Sequence, residues 1–399
     1  MAAASDGRSL GWARGPEPLP AETWTGRASA GKLGSAGWFR RGNGLDRGTS
    51  LYLDAVRFAA ACTVFLSHFA TQGLSGGLLW QAQPFGAQDV DVFFVLSGYV
   101  IGYAADRRER SATAYAASRA ARLLSVTLPA LVLTFGLDAV GQAIDPQPYH
   151  AVENFRAGAP VVQALAGLFF VNEVWGLHVP FGSNVPYWSM GYEVWFYGMF
   201  GLAFYAPRGW RLAGAGAAAL LAGPPIVSLF PLWLLGFAVW RLHEGGWPRR
   251  PRLRFLCAAG GPALWLLYVS RGRPDLLPLP PWIDRPLFWQ DNIVGLCFAL
   301  HLLGLGAFAP ALARMPAAAQ AVLRRCAGAT FALYLFHFPV MVFVRAACGM
   351  APAAWGSRVL VFLAPLVVVA ALVPFTEQRK TAWRHAALGL AGRLGLPPA

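Results

Sequence analysis

The sequence predicts an all-α, polytopic membrane protein of about ten transmembrane helices, with its N- and C-termini cytoplasmic. Three observations carry this. Of 399 residues, 56% are hydrophobic and only 13% charged, whereas about a quarter of a soluble domain is charged. Apolar blocks recur from residue 51 almost to the end. The 33 Lys and Arg outnumber the 19 Asp and Glu, and they fall on alternate sides of those blocks. Such hydrophobicity excludes a disordered chain. Five scattered cysteines with no paired spacing exclude a disulfide scaffold and give no sign of a structural metal.

Residues 1–50 are rich in Gly, Ala, Pro and Ser without a sustained apolar run, which predicts a flexible cytoplasmic tail. The expected spans follow at 51–70, 88–105, 123–144, 187–206, 211–229, 231–243, 253–270, 291–311, 327–348 and 356–375. A bilayer core asks for about 20 helical residues, so 88–105 and 231–243 are short. Pro224, Pro225 and Pro231 break the pattern around the second of these. Residues 161–176 are apolar but interrupted by Asn172 and Glu173, which predicts a re-entrant or interfacial segment. The membrane domain is expected over 51–380, with a short basic cytoplasmic tail over 381–399.

Orientation follows from the basic residues, which collect on the cytoplasmic side of short loops. Taking ten spans, 26 Lys and Arg fall on the side of the termini and five on the other: Arg156, Arg271, Arg273, Arg285 and Arg358. Arg57 and Arg345 lie within spans. The net charge of +14 is therefore read as orientation in a bilayer, not as a nucleic-acid footprint. The localisation expected is the inner (plasma) membrane, multi-pass.

Ionisable side chains inside spans are costly, and function is their default explanation. The first span holds Asp54, Arg57 and His68. Arg57 and His68 are eleven residues apart, which puts them on one helix face separated by ~16 Å of rise. An Asp54–Arg57 ion pair and an interfacial His68 are the structural alternative. The second span opens with Asp89 and Asp91 at about the depth of His68, where a carboxylate would orient the imidazole. Ser97-Gly98 permits close helix approach. Arg119 and Arg122 stand at i,i+3 on the entry to the third span and suit a phosphate or pyrophosphate. Glu193 lies in the fourth span among Trp188, Tyr192, Trp195 and Tyr197. A buried carboxylate there needs a cation, a proton or a polar cavity, and a tie to Arg57 or Arg345 is its structural alternative. His337 and His301 fall near mid-membrane, the latter read as packing.

In their order, Arg57 and His68 with ten residues between them, DVFFVLSG at 91–98, RxxR at 119–122, YWSMGYE at 187–193 and LYLFHFP at 333–339 resemble the acyltransferase 3 family. Its members are integral-membrane O-acyltransferases of surface polysaccharides, lipopolysaccharide, Nod factors and macrolides. The resemblance covers 51 to about 380. Two departures stand out: the family's WSLSxE is here Trp188-Ser189-Met190-Gly191-Tyr192-Glu193, without the second serine. Glu377-Gln378-Arg379 matches only the glutamate of the family's C-terminal motif.

The resemblance implies acyl transfer, acetyl above all, from cytoplasmic acetyl-CoA or another acyl-CoA to a hydroxyl of a glycan or glycoconjugate. Arg119 and Arg122 would then serve the CoA side. His68, Arg57 and Glu193 would be catalytic, with His68 the general base. Asp91, Ser97, Trp188, Ser189 and His337 would bind substrate or support the site, and no metal is implied. No GxSxG elbow is present, so direct transfer is favoured over a covalent acyl-enzyme. With no esterase-like domain expected on the chain, the acyl group would go to the acceptor directly or to a separate extracytoplasmic partner. Acceptor variation is expected in the tail and in the outer loop 145–186. The alternative class is a transporter exporting a glycan or lipid, which the intramembrane charges suit equally but for which no internal repeat is evident.

Overall fold

The structure, a computed structural model, describes residues 45–279, 281–283 and 285–395. The tail expected over 1–50 lies outside the described residues as far as 44, and helix begins at Arg47.

The described residues are all-α. Helix α1 (Arg47–Phe69) is started by Asp46, whose carboxylate accepts from the Thr49 amide at 3.0 Å, satisfying one of the orphan donors of a first turn. Helix α2 (Gly86–Arg107) returns antiparallel to it. Helix α3 (Ala112–Ile144) is capped by Ser111 and its 33 residues span ~50 Å, well beyond a ~30 Å hydrocarbon core. After the short α4 (Pro160–Leu168) come α5 (Trp188–Tyr205), α6 (Arg211–Ala222), α7 (Pro224–Glu244), α8 (Pro251–Ser270) and α9 (Phe288–Leu303). The chain ends with α10 (Ala317–Ala327), α11 (Thr330–Cys348), α12 (Trp355–Leu372) and α13 (Lys380–Arg393). Most of the expected apolar blocks fall on one of these helices, while the block 211–229 divides between α6 and α7 and the block 291–311 runs beyond the end of α9.

By length and hydropathy, six stretches among the described residues are able to cross a membrane: α1, α3, α7, α8, α11 and the continuous run Trp355–Arg393. Large apolar side chains such as Val132, Leu264, Leu266 and Val367 stand exposed along these helices. That suits a lipid environment, where spanning segments satisfy their backbone internally.

One division of the sequence is corrected. The break expected near Pro231 lies instead at Gly223. Its φ of +85° favours glycine, and a Cβ there would stand 2.8 Å from the Trp175 Cα. Pro224 and Pro225 then occupy the first turn of α7, where a missing N–H costs nothing, and Pro231 is accommodated inside a continuous 21-residue helix. The sixth block is therefore longer than 231–243, and the fifth shorter than 211–229. Residues 160–168 form the nine-residue α4, too short to span, followed by an irregular segment through Asn172 and Glu173.

Helices α2 and α7 cross closely. A Cβ on Gly98 would stand 1.9 Å from the Trp233 carbonyl oxygen, and one on Gly236 would stand 1.8 Å from that of Val95. The two backbones meet with nothing between them, as small residues permit.

Antiparallel packing gives the bundle two ends. At one, Arg107 pairs with Glu244, Arg119 with Glu109 at 2.6 Å, and Arg384 Nε donates to Ser118 Oγ at 3.2 Å. At the other, Arg345 Nε donates to the Gly73 carbonyl (3.2 Å) and Arg358 Nε to that of Ser75 (2.9 Å). His68, near the C-terminus of α1, lies at this second end.

Candidate functional site

A cavity opens inside the bundle, lined by side chains from α1, α2, α3, α5 and α11. It gathers most of the site predicted from sequence: Arg57, Ser97, Arg119, Arg122, Ser189 and Glu193 all line it, among apolar residues such as Phe93 and Phe331. Arg57 and Glu193, far apart in sequence, are brought together by the antiparallel return of α2 and the passage of α3 and α5.

Glu193 accepts hydrogen bonds from hydroxyls, with the Arg122 guanidinium near enough to feel its charge. Tyr197 Oη, one turn along α5, donates to its Oε1, and Ser97 Oγ does so at 3.1 Å. Trp233 Nε1 in turn donates to Ser97 Oγ at 3.2 Å, tying the carboxylate to the α2–α7 crossing one residue away. Arg345 is not its partner: that guanidinium donates to Gly73 O, Met350 O and Ser357 Oγ, pinning loops at the second end.

The three arginines differ. Arg119 is held against Glu109 and stands over the rings of Tyr115 and Tyr197 at 5.4 and 5.7 Å, a cation–π arrangement. Arg57 keeps its local pair with Asp54 at 3.8 Å, which Arg324 shares at 3.7 Å. Arg122 stands over Phe331 at 5.8 Å and is exposed in the cavity, which makes it the arginine best able to take an anionic ligand. Glu377, the single glutamate matched at the C-terminal motif, accepts from the Phe331 amide at 2.8 Å. It caps the N-terminus of α11, where a carboxylate is favoured.

His68 is absent from that lining. Its partner is a second imidazole: His68 Nδ1 lies 2.9 Å from His337 Nε2, with the rings stacked at 5.1 Å. His337 Nδ1 lies 2.7 Å from the Leu333 carbonyl oxygen. A carbonyl only accepts, so His337 carries its proton on Nδ1 and, while uncharged, offers Nε2 as an acceptor. His68 must then donate from Nδ1, which leaves its own Nε2 as a bare lone pair. The carboxylate expected beside His68 is elsewhere. Asp91 is fully buried and faces Asp291 and Arg285, and Arg285 Nε donates to Asp291 Oδ2 at 2.7 Å. The reason is azimuthal: depth along α2 was readable, but its rotation turns Asp91 towards α9 and not α1.

The two centres are neighbours along α11. Tyr334 lines the cavity, where its Oη meets Ser189 Oγ at 2.8 Å and the Pro186 carbonyl at 3.0 Å. His337 follows three residues later, ~4.5 Å further along the helix. Trp188 begins α5 beneath the guanidinium of Arg285, 4.7 Å from its ring centroid. His301 is a packing residue, bonded to the Ala258 carbonyl at 2.6 Å and set among Tyr52, Phe298 and Phe308.

Tyr197, Glu377, Asp291 and Arg285 were not singled out from sequence. Among them only Glu377 carried a usable signal, through its place in a matched motif. Among the described residues no group of three or more His, Cys, Asp or Glu side chains is arranged to hold a metal ion.

Comparison with known proteins follows this geometry. The pattern of a family described as an acyltransferase domain, acyltransferase 3, matches residues 50–376. The exopolysaccharide production protein ExoZ of Rhizobium meliloti (strain 1021) is 30% identical over 148 residues, covering 35% of this chain and 41% of that protein. The chain thus matches less than half the length of that relative. No solved structure matches.

Proposed function

This chain belongs to the acyltransferase 3 family, and from that premise we propose that it is a ten-span O-acyltransferase of the inner (plasma) membrane with cytoplasmic termini. It moves an acyl group, acetyl above all, from cytoplasmic acyl-CoA to a hydroxyl of a glycan or glycoconjugate. A glycan acceptor accords with the name of the relative, an exopolysaccharide production protein. The basic end of the bundle faces the cytoplasm, in line with the distribution of Arg and Lys.

The observation that carries the reading is the hydrogen-bond chain Leu333 O, His337, His68. It supports His68 Nε2 as a general base. The acceptor hydroxyl, a weak nucleophile at neutral pH, attacks the thioester carbonyl carbon while its proton passes to Nε2. The C–S bond then breaks, the proton returns from His68 to sulfur, and the products are the ester and free CoA thiol. Proton and electron pairs balance without a covalent enzyme intermediate. Arg57, in the chamber with Glu193, holds the anionic part of the donor rather than the reacting carbonyl. Arg122, with Arg119, receives the CoA phosphates.

The ~16 Å along α1 between Arg57 and His68 suits a donor whose anionic head and reactive thioester are joined by a long, thin, uncharged arm. The test is transfer from labelled acetyl-CoA to oligosaccharide by the purified protein in lipid. Replacement His68→Ala should abolish transfer while acetyl-CoA still binds; full turnover by a correctly folded His68→Ala protein overturns the assignment.

A further inference from the structure

The two oxygens of Glu193 are used unequally. Oε1 accepts from the Tyr197 hydroxyl and, at 3.1 Å, from the Ser97 hydroxyl. Oε2 has no hydrogen-bond partner among the described residues, and it is not sealed in: Glu193 is half-buried and lines the cavity. The carboxylate cannot swing away, because its two donors come from different helices and Ser97 is itself held by Trp233 Nε1 at 3.2 Å. Turning the group over exchanges two equivalent oxygens and leaves one free all the same.

The neighbouring cations do not take it. Arg119 is held by Glu109 at 2.6 Å and Arg57 by Asp54 at 3.8 Å. Arg122 lines the same cavity, but among the described residues no ion pair joins it to Glu193. A guanidinium and a carboxylate thus open on one cavity without neutralising each other. A ligand that fits both carries a negative group and, further along, an N–H or O–H donor.

Depth decides which part of the ligand meets the free oxygen. One turn of α5 towards the basic end, ~6 Å away, is Tyr197, over whose ring Arg119 stands at 5.7 Å. One turn the other way is Ser189, whose Oγ meets Tyr334 Oη at 2.8 Å, and His337 follows Tyr334 on α11. Glu193 therefore stands midway between the arginines and the imidazole pair. The walls at this depth are apolar, with Val90, Phe93, Phe94 and Phe331 among them. A donor left unpaired in such surroundings costs about 1–3 kcal/mol, and one acceptor removes that cost.

We propose that Glu193 binds the arm of the donor: its free oxygen accepts an N–H from one of the two amides that link the anionic head of acyl-CoA to the thioester, and it takes no part in proton transfer. This rests on the reading above that acyl-CoA is the donor. The arm is a run of methyl and methylene carbons broken by those amides and one hydroxyl, which matches apolar walls with a single aimed acceptor. A sugar would bring a hydroxyl on nearly every carbon to walls with few partners for them. Ser97 and Tyr197 are then positioning residues that aim the free oxygen.

The experiment is calorimetric titration of the full chain in lipid nanodiscs, wild type and Glu193→Ala. The ligands are CoA, 3′-phosphoadenosine 5′-diphosphate (the anionic head without the arm), and two CoA analogues in which one or the other arm amide is an ester. In wild type one ester analogue should bind about tenfold more weakly than CoA, the worth of one hydrogen bond. Glu193→Ala should bind CoA about tenfold more weakly than wild type, bind the head unchanged, and no longer tell the ester from the amide. Its KM for acetyl-CoA should rise by the same factor. Wild-type affinity of the variant for CoA, wild type that binds both esters as well as CoA, or a collapse of kcat at unchanged KM overturns the assignment and leaves acyl-CoA as the donor. Should the variant lose the head as well, the ester series on wild type alone decides. A wild-type protein that binds neither CoA nor the head overturns the acyl-CoA reading and this inference with it.

Discussion

Replacing His337 by phenylalanine removes the relay behind His68 without emptying the core. His337 is fully buried, in ring contact with Phe65 and Phe338 at 5.7 and 6.3 Å, so a phenyl ring fills nearly the same space. What goes is the acceptor 2.9 Å from His68 Nδ1. Between neutral rings that bond is worth about 0.5–1.5 kcal/mol; once His68 has taken a proton the bond is charge-assisted and worth about 1.5–3 kcal/mol. Only the increment gained on the way to the transition state speeds the reaction. At about 1–1.5 kcal/mol it corresponds to a roughly tenfold loss of kcat. The loss deepens because His68 becomes free to carry its proton on Nε2, the wrong nitrogen for a base.

Steady-state transfer from labelled acetyl-CoA to saccharide reads this directly. In the His337→Phe protein kcat should fall at least tenfold. The KM for acetyl-CoA should hold, since Arg57, Arg119 and Arg122 line a different chamber, and the midpoint of thermal unfolding in the same detergent should stay near wild type. A folded variant that turns over at the wild-type rate would refute the tautomer argument outright.

Two further outcomes follow from the geometry. Gly98→Ala places a methyl group 1.9 Å from the Trp233 carbonyl, so the helices must part by more than 1 Å; the overpacking should cost about 1–3 kcal/mol, seen as a lower unfolding midpoint, and wild-type stability would contradict the close crossing. The arginines should separate by readout: Arg122→Gln raises the KM for acetyl-CoA about tenfold with little change in stability. Arg119→Gln strands Glu109, whose side chain is 8% exposed, and should destabilise the fold by about 3–5 kcal/mol; identical behaviour of the two variants counts against the distinction.

What was legible in the sequence is what lies along a single helix. Spacing placed Arg57 and His68 on one face of α1, and charge inside an apolar run marked Glu193 and the two arginines of α3; the cavity collects all of these except His68. What was not legible is the angle at which helices distant in sequence meet. His68 and His337 are 269 residues apart, and no periodicity says that two imidazoles will share a proton line. Asp91 was read at the right depth, yet its neighbours, Asp291 and Arg285, come from α9 and the turn that enters it, far along the chain. Proline was misweighted between α6 and α7, because the same residue breaks a helix in its interior and begins one in its first turn.

The reciprocal contact of Gly98 with Trp233 and of Gly236 with Val95 has a mechanical meaning. Two rods touching backbone to backbone can swivel about their point of contact, but they cannot separate without losing the packing that joins them. A carrier that ferries its cargo by swinging such rods apart would have to break this rivet on every cycle. On the reading proposed, the moving part is the thioester arm, and the bundle is a fixed sleeve through which it reaches.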